Sequence, residues 1–593
     1  MTPTGAPVEP EVPVVVEVDD ALPWLASAAE LALPGLAVDL ADLIERVGLT
    51  GRPVPTVEPV PSTRALRIRV HGALQPYDQR LARQVWLAAA PERARDAALS
   101  FEQEPEDAFP DGWLRRHAEG SADPESLSGF VRRFTVEVVA RRASCLVGDE
   151  QVAEYAALAP AVPEAAAAEA ELGEVLRTLL GLGVWAIDRA AVASAIQDRA
   201  GREAADVAET LMARLRPRRV EIHANPRTLA TLLPSPSRSE SIMMYAAVLP
   251  DHVRGKFQAT EEFVYLDTGL RLPDLFWVPS EQVGEEIVAV RVNDLVGVGF
   301  PLPPEGKVLV DAPPSSLGGV AAEPALGPAG PSALIDEDEA GAVHAQGYTT
   351  LDRLGVVQHF VFTELLRNAP RLLSVRDVEV ELHRMGQPDL VRAVLEDLSI
   401  GDLTRVLREL LDGGLSIRDL ATVLERLLRF DTIDVDADAC AVFDERLALS
   451  GPVPATPLAR ARTLARYVRE GMAAFIGSRF SFGSETLVAY LLHPEFERLA
   501  LEVAPDDLEG EVDRPEAEAA LEALRDVVWR ELSLLPLAAA KPALLTSRRA
   551  RTAVRRVLAP ELPDQRVVRH SEIPADINVM PVARIGAPAL VRS

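Results

Sequence analysis

Two segments of the chain carry nearly the same helix–turn–helix pattern. Residues 179–196 read LLGLGVWAIDRAAVASAI, and residues 410–428 read LLDGGLSIRDLATVLERLL. At an offset of 231 residues, the similarity extends back to Leu172 and Leu403. About ten of roughly 25 aligned positions are identical, where chance gives roughly two or three in a chain this rich in Ala, Leu and Arg. The fold must therefore accommodate two related helical modules.

A second pair of segments lies upstream in the same order. GFVRRFTVEVVARRASCLVGDEQV (129–152) aligns with GVVQHFVFTELLRNAPRLLSVRDV (355–378) at an offset of 226 residues. The sequence thus predicts that residues 128–200 are a diverged copy of residues 354–430. The alternative is a pair of unrelated amphipathic hairpins of similar composition. In the second copy we expect Gly413 and Gly414 to end a helix, and Ser416 to cap a helix that starts at Ile417.

Charge and apolar run length restrict the class of protein. The net charge is −29, which argues against nucleic acid or anionic membranes as the main partner. The apolar runs are shorter than the roughly 18 residues that a membrane span requires. The N-terminus is acidic and does not resemble a signal peptide. We expect a cytoplasmic protein without a membrane span of its own, with the inner face of the cytoplasmic membrane as an alternative location.

The 593 residues predict an α+β protein of several small domains. Residues 1–60 read as a flexible lead-in over 1–23 followed by a helix broken at Pro34, and 61–217 read as mostly helical, with LRIRVHG as a strand. Residues 218–352 are strand-rich, and 312–342 read as a mobile connection. Residues 353–450 form a helical subdomain. Residues 451–593 give further helices and a small α+β subdomain, in which ALLTS, RRARTAVRRVL and RVVRH read as strand, helix and strand.

Sequence motifs for chemistry are weak throughout the chain. Metal-binding histidine spacings, the GxSxG elbow and the phosphate-binding loop are absent from the sequence. DVDADACAVFDE (434–445) resembles a calcium loop but has Ala439 where the sharp turn needs glycine, so a solvated acidic loop fits better. Cys145 and Cys440 read as small core residues. We therefore predict no catalytic residues, no metal site and no cofactor; an enzyme with a spatially assembled site is the alternative.

Several motifs resemble one family in collinear order over residues 218–585. VEIHANPRTLATLL, AVRVNDLVGVGFPLPPEGKVLVDA and the Gly347–Asp352 stretch GYTTLD are similar to elements of the cytoplasmic region of FHIPEP proteins, the export-gate subunits of flagellar and type III secretion. LTRVLRELLDGGLSIRDLATVLERL is the most specific of these motifs. LVAYLLHPEFERL and PALLTSRRARTAVRRVLAPELPDQRVVRHSEIP continue the resemblance to the C-terminus.

The resemblance implies a fold and a function. The fold is a set of small ferredoxin- or thioredoxin-like α+β subdomains around a helical one, assembled as a homo-oligomeric ring. The function is protein docking without bond chemistry: the partners are chaperone–cargo complexes or other export components. The alternative is a soluble oligomeric scaffold that uses the same fold in a different cytoplasmic assembly. The family's membrane half has no counterpart in the sequence, where residues 1–217 stand instead.

Four residues are the candidate groove for a protein partner: Tyr348, Asp352, His359 and Phe360. In the family a threonine of this helix helps line the chaperone groove, and here His359 stands at that position. The alternative is structural. Tyr348 and Phe360 would then be core aromatics, Asp352 would cap the helix that starts near Arg353, and His359 would be a surface residue.

Overall fold

The protein is an α+β molecule built from four small sheets and many helices, as the sequence predicts. The computed structural model describes residues 10–75, 124–158, 166–185, 204–215, 219–233, 251–430, 457–503 and 542–585 apart from short gaps, with a few residues near 81–85, 191–195 and 528. These form two compact units. The first lies within residues 10–258 and 273–364 and includes Val528, and the second lies within 259–272, 365–527 and 540–585.

The first unit begins with a four-stranded sheet in the order β2-β1-β3-β4. The strands are β1 (Glu11–Asp19), β2 (Arg52–Val60), β3 (Leu66–Val70) and β4 (Ala73–Gln75), and α1 (Pro23–Arg46) connects β1 to β2. β2 runs parallel to β1, whereas β3 runs antiparallel to it. The expected strand at LRIRVHG is confirmed by β3.

Two expectations for this region are wrong. The lead-in over residues 1–23 contains a strand, because Val12, Val14, Val16 and Val18 alternate along β1 and are all buried. The helix is not broken at Pro34 but continues through it. Pro34 removes one helical hydrogen bond, and its position on the exposed side lets water satisfy the freed carbonyl.

The prolines of β2 protect the edge of this sheet. The Arg52 amide donates to the Pro10 carbonyl at 2.8 Å, so even-numbered residues of β2 face β1. Pro53, Pro55 and Pro59 therefore direct their donor-less nitrogens outward. A strand from another molecule would find few amide donors along this edge.

The remaining helices at this end are α2 (Pro124–Arg141), α3 (Asp149–Leu158), α4 (Ala166–Gly181) and α5 (Ala204–Leu215), with a 3₁₀ turn at Ala143–Leu146. They share one apolar core with the first sheet, in which Phe130 and Phe134 stack at 5.6 Å between ring centroids. Cys145 packs against this core, and burial raises the pKa of its thiol to about 12. Cys440 lies outside the described residues.

A second sheet of the first unit has the order β6-β5-β7-β8, with β9 paired to β7. The strands are β5 (Val220–Ala224), β6 (Leu275–Pro279), β7 (Ile287–Val292), β8 (Leu295–Val296) and β9 (Phe300–Pro301), and α6 (Pro226–Leu232) and α7 (Asp251–Thr268) connect β5 to β6. β6 is parallel to β5, and β7 is antiparallel to it. Trp277 is completely buried against Phe257.

A small third sheet follows with the order β11-β12-β10-β13. It comprises β10 (Lys307–Val310), β11 (Glu323–Leu326), β12 (Pro331–Asp336), α8 (Ala340–Ala345) and β13 (Thr350–Leu351). The expected connection over 312–342 is therefore wrong, since β11 and β12 lie within it. The abundance of Ala, Gly and Pro obscured these strands; Ala333 and Ile335 nevertheless face a buried core.

The helical subdomain comprises α9 (Arg353–Arg367), α10 (Ala369–Leu372), α11 (Val375–Met385), α12 (Pro388–Asp397), α13 (Ile400–Asp412) and α14 (Leu420–Leu428). A capping box between Ser374 and Asp377 starts α11. The predicted cap of α14 is wrong by three residues. Asp419 caps this helix through the Thr422 amide at 3.2 Å, because Ser416 is buried and accepts from the nearer Arg418 amide instead.

The C-terminal part of the second unit comprises α15 (Pro457–Glu470), α16 (Ala473–Phe480), β14 (Thr486–Leu492), α17 (Pro494–Val503), β15 (Ala543–Thr546), α18 (Arg551–Leu558), β16 (Val567–Arg569) and β17 (Asn578–Ile585). Its sheet is parallel, in the order β16-β15-β14-β17. The strand–helix–strand expectation for this segment is confirmed by β15, α18 and β16.

A buried ionic cluster joins the C-terminal sheet to the helical subdomain. The Arg469 guanidinium donates to Glu572 at 2.9 Å and to the Gly413 carbonyl at 3.0 Å. Arg551 and Arg569 also face Glu572, each at 3.9 Å. Burial alone would raise the pKa of Glu572, but the guanidinium groups outweigh burial and hold that pKa below its ordinary value. Glu572 is therefore a charged counter-ion for a group of buried arginines.

We expect Glu572→Gln to destabilise the C-terminal sheet by about 3–5 kcal/mol, because buried guanidinium groups would lose their counter-ion. Hydrogen exchange of the β15 and β16 amides in the full chain measures this loss. Glu495→Gln removes an exposed partner of Arg498 and should leave the same amides protected. Equal effects of the two variants would contradict the role of the cluster.

Glu409 of α13 should make the second unit pH-sensitive. Burial, together with the neighbouring Asp412, raises the pKa of Glu409 to about 7 from an ordinary value of 4.5. The folded state then binds more protons than the unfolded state between these values, so stability falls as pH rises through that window. Glu409→Gln should stabilise the unit by about 1–2 kcal/mol at pH 8 and lose this advantage below about pH 4.5.

Urea titrations of both proteins at pH 4, 6 and 8 test this expectation. A stability difference that is the same at all three pH values would show that Glu409 keeps an ordinary pKa in the fold.

Candidate protein-docking surface

Asp352 stands at the start of α9 and joins it to α7. Its carboxylate accepts the Gly355 amide at 2.5 Å and the Lys256 ammonium at 2.8 Å and 3.0 Å from its two oxygens. The structural alternative for Asp352, a helix cap, is thus present in the molecule. More than half of its side chain remains exposed, so the cap leaves one face of the carboxylate open to solvent.

Neighbouring residues also hold the start of α9 in place. Arg353 pairs with Glu286 and donates to the Pro303 carbonyl at 2.8 Å. The Gln358 amide group donates to the Lys256 carbonyl at 2.9 Å. The N-terminal half of α9 is therefore held to α7 and to the second sheet by polar contacts on two sides.

His359 and Phe360 point in different directions from α9. His359 is half-buried and lies two turns after Asp352, on the same face of the helix. Phe360 is buried and packs against Phe300 at 5.6 Å between ring centroids. Phe360 therefore supports the surface from beneath, and a partner on this face would meet His359.

Tyr348 belongs to the small third sheet. It is half-buried against the core of that subdomain, which contains Val310, Ala333 and Ile335. Its amide donates to the Val343 carbonyl at 3.3 Å, after a left-handed turn at Gly347 with φ +90°. Tyr348 thus has a structural contact and a partly exposed ring. The structure places it a few residues before α9.

The charge beside these residues is negative. Asp336, Glu337 and Asp338 are exposed at the end of β12, as expected for a solvated acidic run. Lys307 lies opposite Asp336 in the pairing of β10 with β12 and donates to Glu323 at 2.7 Å, and this contact raises the pKa of Lys307. Within the described part of the chain, no group of three or more His, Cys, Asp or Glu side chains is arranged for a metal. The calcium-like loop at 434–445 lies outside that part.

The sequence did not single out two structurally important groups. One is the arginine cluster around Glu572, which the sequence shows only as the Arg-rich helix RTAVRRVL. The other is the β7–β8 turn, where Asn293 has a left-handed φ of +56° and Asp294 is buried. An Asn-Asp pair between two apolar strands is a turn signal, but its partner is distant in sequence.

A family comparison accounts for the order of these elements. The model of the FHIPEP family matches residues 249–578, more than half of the chain, and includes the candidate surface. The chain belongs to the FHIPEP family. The match begins just before α7, the helix that leads into β6, and ends at the first residue of β17.

Individual FHIPEP relatives are distant. The chain is similar to the flagellar biosynthesis protein FlhA of Bacillus subtilis, with 24% identity over 255 residues, covering 42% of this chain and 34% of FlhA. It is also similar to the invasion protein InvA of Salmonella typhimurium, with 22% identity over 352 residues, covering 58% of this chain and 46% of InvA. The chain spans between a third and a half of the length of these relatives.

Solved structures give matches of similar distance. The structure of the Chlamydia pneumoniae CdsV and CdsO protein complex aligns with a TM-score of 0.49 at 21% identity, covering 62% of this chain and 97% of the other. The C-terminal domain of InvA aligns with a TM-score of 0.45 at 18% identity, covering 62% and 99%. Over the residues that the structure describes, no helix has the length and apolar character needed to cross a bilayer.

Two substitutions of Asp352 separate the contribution of the helix cap from that of the ion pair with Lys256. Asp352→Ala removes both and should destabilise the start of α9 by about 1 kcal/mol. Asp352→Asn keeps a cap acceptor and loses only the charge opposite Lys256, so it should cost less than about 0.5 kcal/mol. Hydrogen exchange at Gly355 and Val356 measures the difference. Equal losses would show that the Lys256 contact, not the cap, holds this corner.

Proposed function

We propose that this chain is a non-enzymatic protein-docking component of a flagellar or type III secretion export apparatus. The observation that carries the proposal is the family match over residues 249–578, a range that includes the candidate surface and the helical subdomain. Relatives named for flagellar biosynthesis and invasion support the same process. The expected partners are chaperone–cargo complexes or other export components.

The surface chemistry is compatible with binding of a protein segment. Asp352 and the acidic residues at the end of β12 offer exposed carboxylates, while His359 and Tyr348 offer partly exposed rings. This combination suits a segment that carries basic and apolar side chains. We further propose that the chain works as a homo-oligomer in the cytoplasm, with the inner face of the cytoplasmic membrane as the alternative location.

Binding measurements with purified components test this function. Full-length protein should bind an export chaperone with its cargo, or the secretion ATPase, from the same host. The double variant Tyr348→Ala/His359→Ala removes both partly exposed rings and should weaken this binding at least tenfold, equivalent to about 1.4 kcal/mol. Arg227→Ala is the control, since Arg227 forms an exposed pair with Glu285 on the second sheet and should leave the affinity unchanged.

Two results would contradict the proposal in different ways. Unchanged affinity of the double variant would remove the candidate surface but keep the docking function. Failure to bind any export component, together with a stable complex of unrelated cytoplasmic proteins, would favour the alternative of a scaffold that uses the family fold outside secretion.

A further inference from the structure

The first and second sheets of the first unit have the same topology. In each, a strand leads through helix to a parallel neighbour, and the next strand pairs antiparallel to the first on its other side, giving the orders β2-β1-β3-β4 and β6-β5-β7-β8. The pairing register also agrees: Val14 faces Val70 in the first sheet, and Val220 faces Val292 in the second. Shared topology and shared register place residues 11–75 in correspondence with 220–296.

Local details follow the same correspondence. Asp19 is the last residue of β1 and Asn225 directly follows β5, and each side chain accepts the amide two residues later, at 3.1 Å and 3.0 Å. Gly-Leu follows the connecting helix in both, with Gly48 at φ +85° and Gly269 at φ +80°. The third strand is directly followed by a left-handed non-glycine residue in both, His71 and Asn293. Such residues are uncommon, so their recurrence at equivalent positions is informative.

The helices that follow also correspond. α2 ends at Arg141 and α9 at Arg367, and each is followed by one short turn of helix, Ala143–Leu146 and Ala369–Leu372, at the same offset of 226 residues. The next helix begins with equivalent caps. The Gly148 amide donates to Gln151 at 3.1 Å, and the Ser374 amide donates to Asp377 at 2.9 Å.

In each module, an arginine donates a long-range hydrogen bond to an equivalent backbone carbonyl. The Arg177 Nε donates to the Val147 carbonyl at 3.3 Å, and the Arg408 Nε donates to the Leu373 carbonyl at 3.0 Å. α4 and α13 then end at Gly181 and Asp412, and the turns that follow contain Gly183 at φ +78° and Gly414 at φ +73°. Unrelated hairpins of similar composition would have no reason to share a long-range bond to one specific carbonyl.

Each glycine turn binds the subdomain that comes next in its compact unit. The Leu182 carbonyl accepts the Asn293 side-chain amide at 3.1 Å, and the Gly183 carbonyl accepts the Asp294 amide at 3.0 Å. The Asp294 carboxylate in turn accepts the Trp185 amide at 2.9 Å. In the second module, the Gly413 carbonyl, equivalent to that of Leu182, accepts Arg469 instead.

We propose that the described elements within residues 11–195 are a second copy of the second sheet and helical module found within 220–428, and that the two copies are joined in series at a docking joint. This joint consists of the glycine turn Leu182–Trp185 of the first copy and the turn Asn293–Asp294 of the second. The inference extends the copy predicted at 128–200 to the sheet that precedes it. It does not depend on what the protein docks.

The two copies do not offer the same binding surface. The first-copy equivalents of His359 and Phe360 are Arg133 and Phe134. Both phenylalanines are buried, which supports a core role for this position in either copy. A partner that contacts His359 in the second copy would meet a guanidinium at the same place in the first, so the copies should differ in the segments they bind.

Matched arginine variants test the duplication in the full chain. We expect Arg177→Met to speed amide exchange of Ala143–Val147 at least tenfold, and Arg408→Met to do the same for Ala369–Leu373, each without effect on the other segment. If Arg177→Met leaves its segment protected while Arg408→Met does not, the first copy is not built on the same bond and the duplication is overturned.

The joint is tested by cutting the chain between the copies. A specific protease site is placed at residues 216–218 of the full chain, and the fully cleaved protein is followed by gel filtration. The two fragments should remain together, and Asn293→Ala/Asp294→Ala should speed their separation at least tenfold. Exchange of the β5 amides checks that the second sheet stays folded, and Arg227→Ala is the control.

Immediate separation of the cleaved wild type would overturn the joint, as would a double variant that separates no faster than wild type. Neither measurement uses a partner protein, so a negative result here is independent of the export function proposed above.

Discussion

The left-handed glycine after a buried helix is the constraint on which much of this fold depends. The last carbonyls of a helix have no partner within it, and a left-handed residue turns the chain back so that some of them are satisfied locally. At Gly183 and Gly414 the chain reverses in this way. The Asn293 side-chain amide donates to the Leu182 carbonyl, and Arg469 donates to the equivalent Gly413 carbonyl. The helix end thus serves as an attachment point for another subdomain.

Arginine side chains donate many of the long-range hydrogen bonds in the described part of this acidic chain. Its planar head carries several donors that can satisfy backbone carbonyls without a second charge. Arg408 and Arg555 are buried and bind carbonyl oxygens in this way. Arg469 combines a carbonyl with the Glu572 carboxylate. The net charge of −29 comes from the excess of acidic residues. The acidic residues at the end of β12 are exposed, whereas the guanidinium groups named here are buried.

The family match concerns several subdomains, whereas the candidate surface consists of a few side chains. The family match covers β6 to β9 of the second sheet, the small sheet, the helical subdomain and the C-terminal sheet up to the start of β17. The surface around Asp352 and His359 is a local arrangement, in which structural contacts and partial exposure coexist. Residues 11–195 add a sheet and helices that lie before the matched region, and their described elements share the sheet topology, the left-handed turns and several hydrogen bonds of residues 220–428. An additional copy gives one chain two related surfaces with different chemistry.

The sequence by itself determined the α+β class, the strand at LRIRVHG and the C-terminal strand–helix–strand, because period and turn residues are local signals. It also predicted the helical repeat, and it offered a cap of α9 as the alternative role of Asp352. Only the tertiary structure decided that EVPVVVEV is a central strand, that β11 and β12 lie in a Pro- and Gly-rich stretch, and that Phe360 is buried. Strand pairing and burial depend on residues far apart in the chain. For the same reason, Asn293 and Arg469 showed their roles only once the glycine turns that accept them were in place.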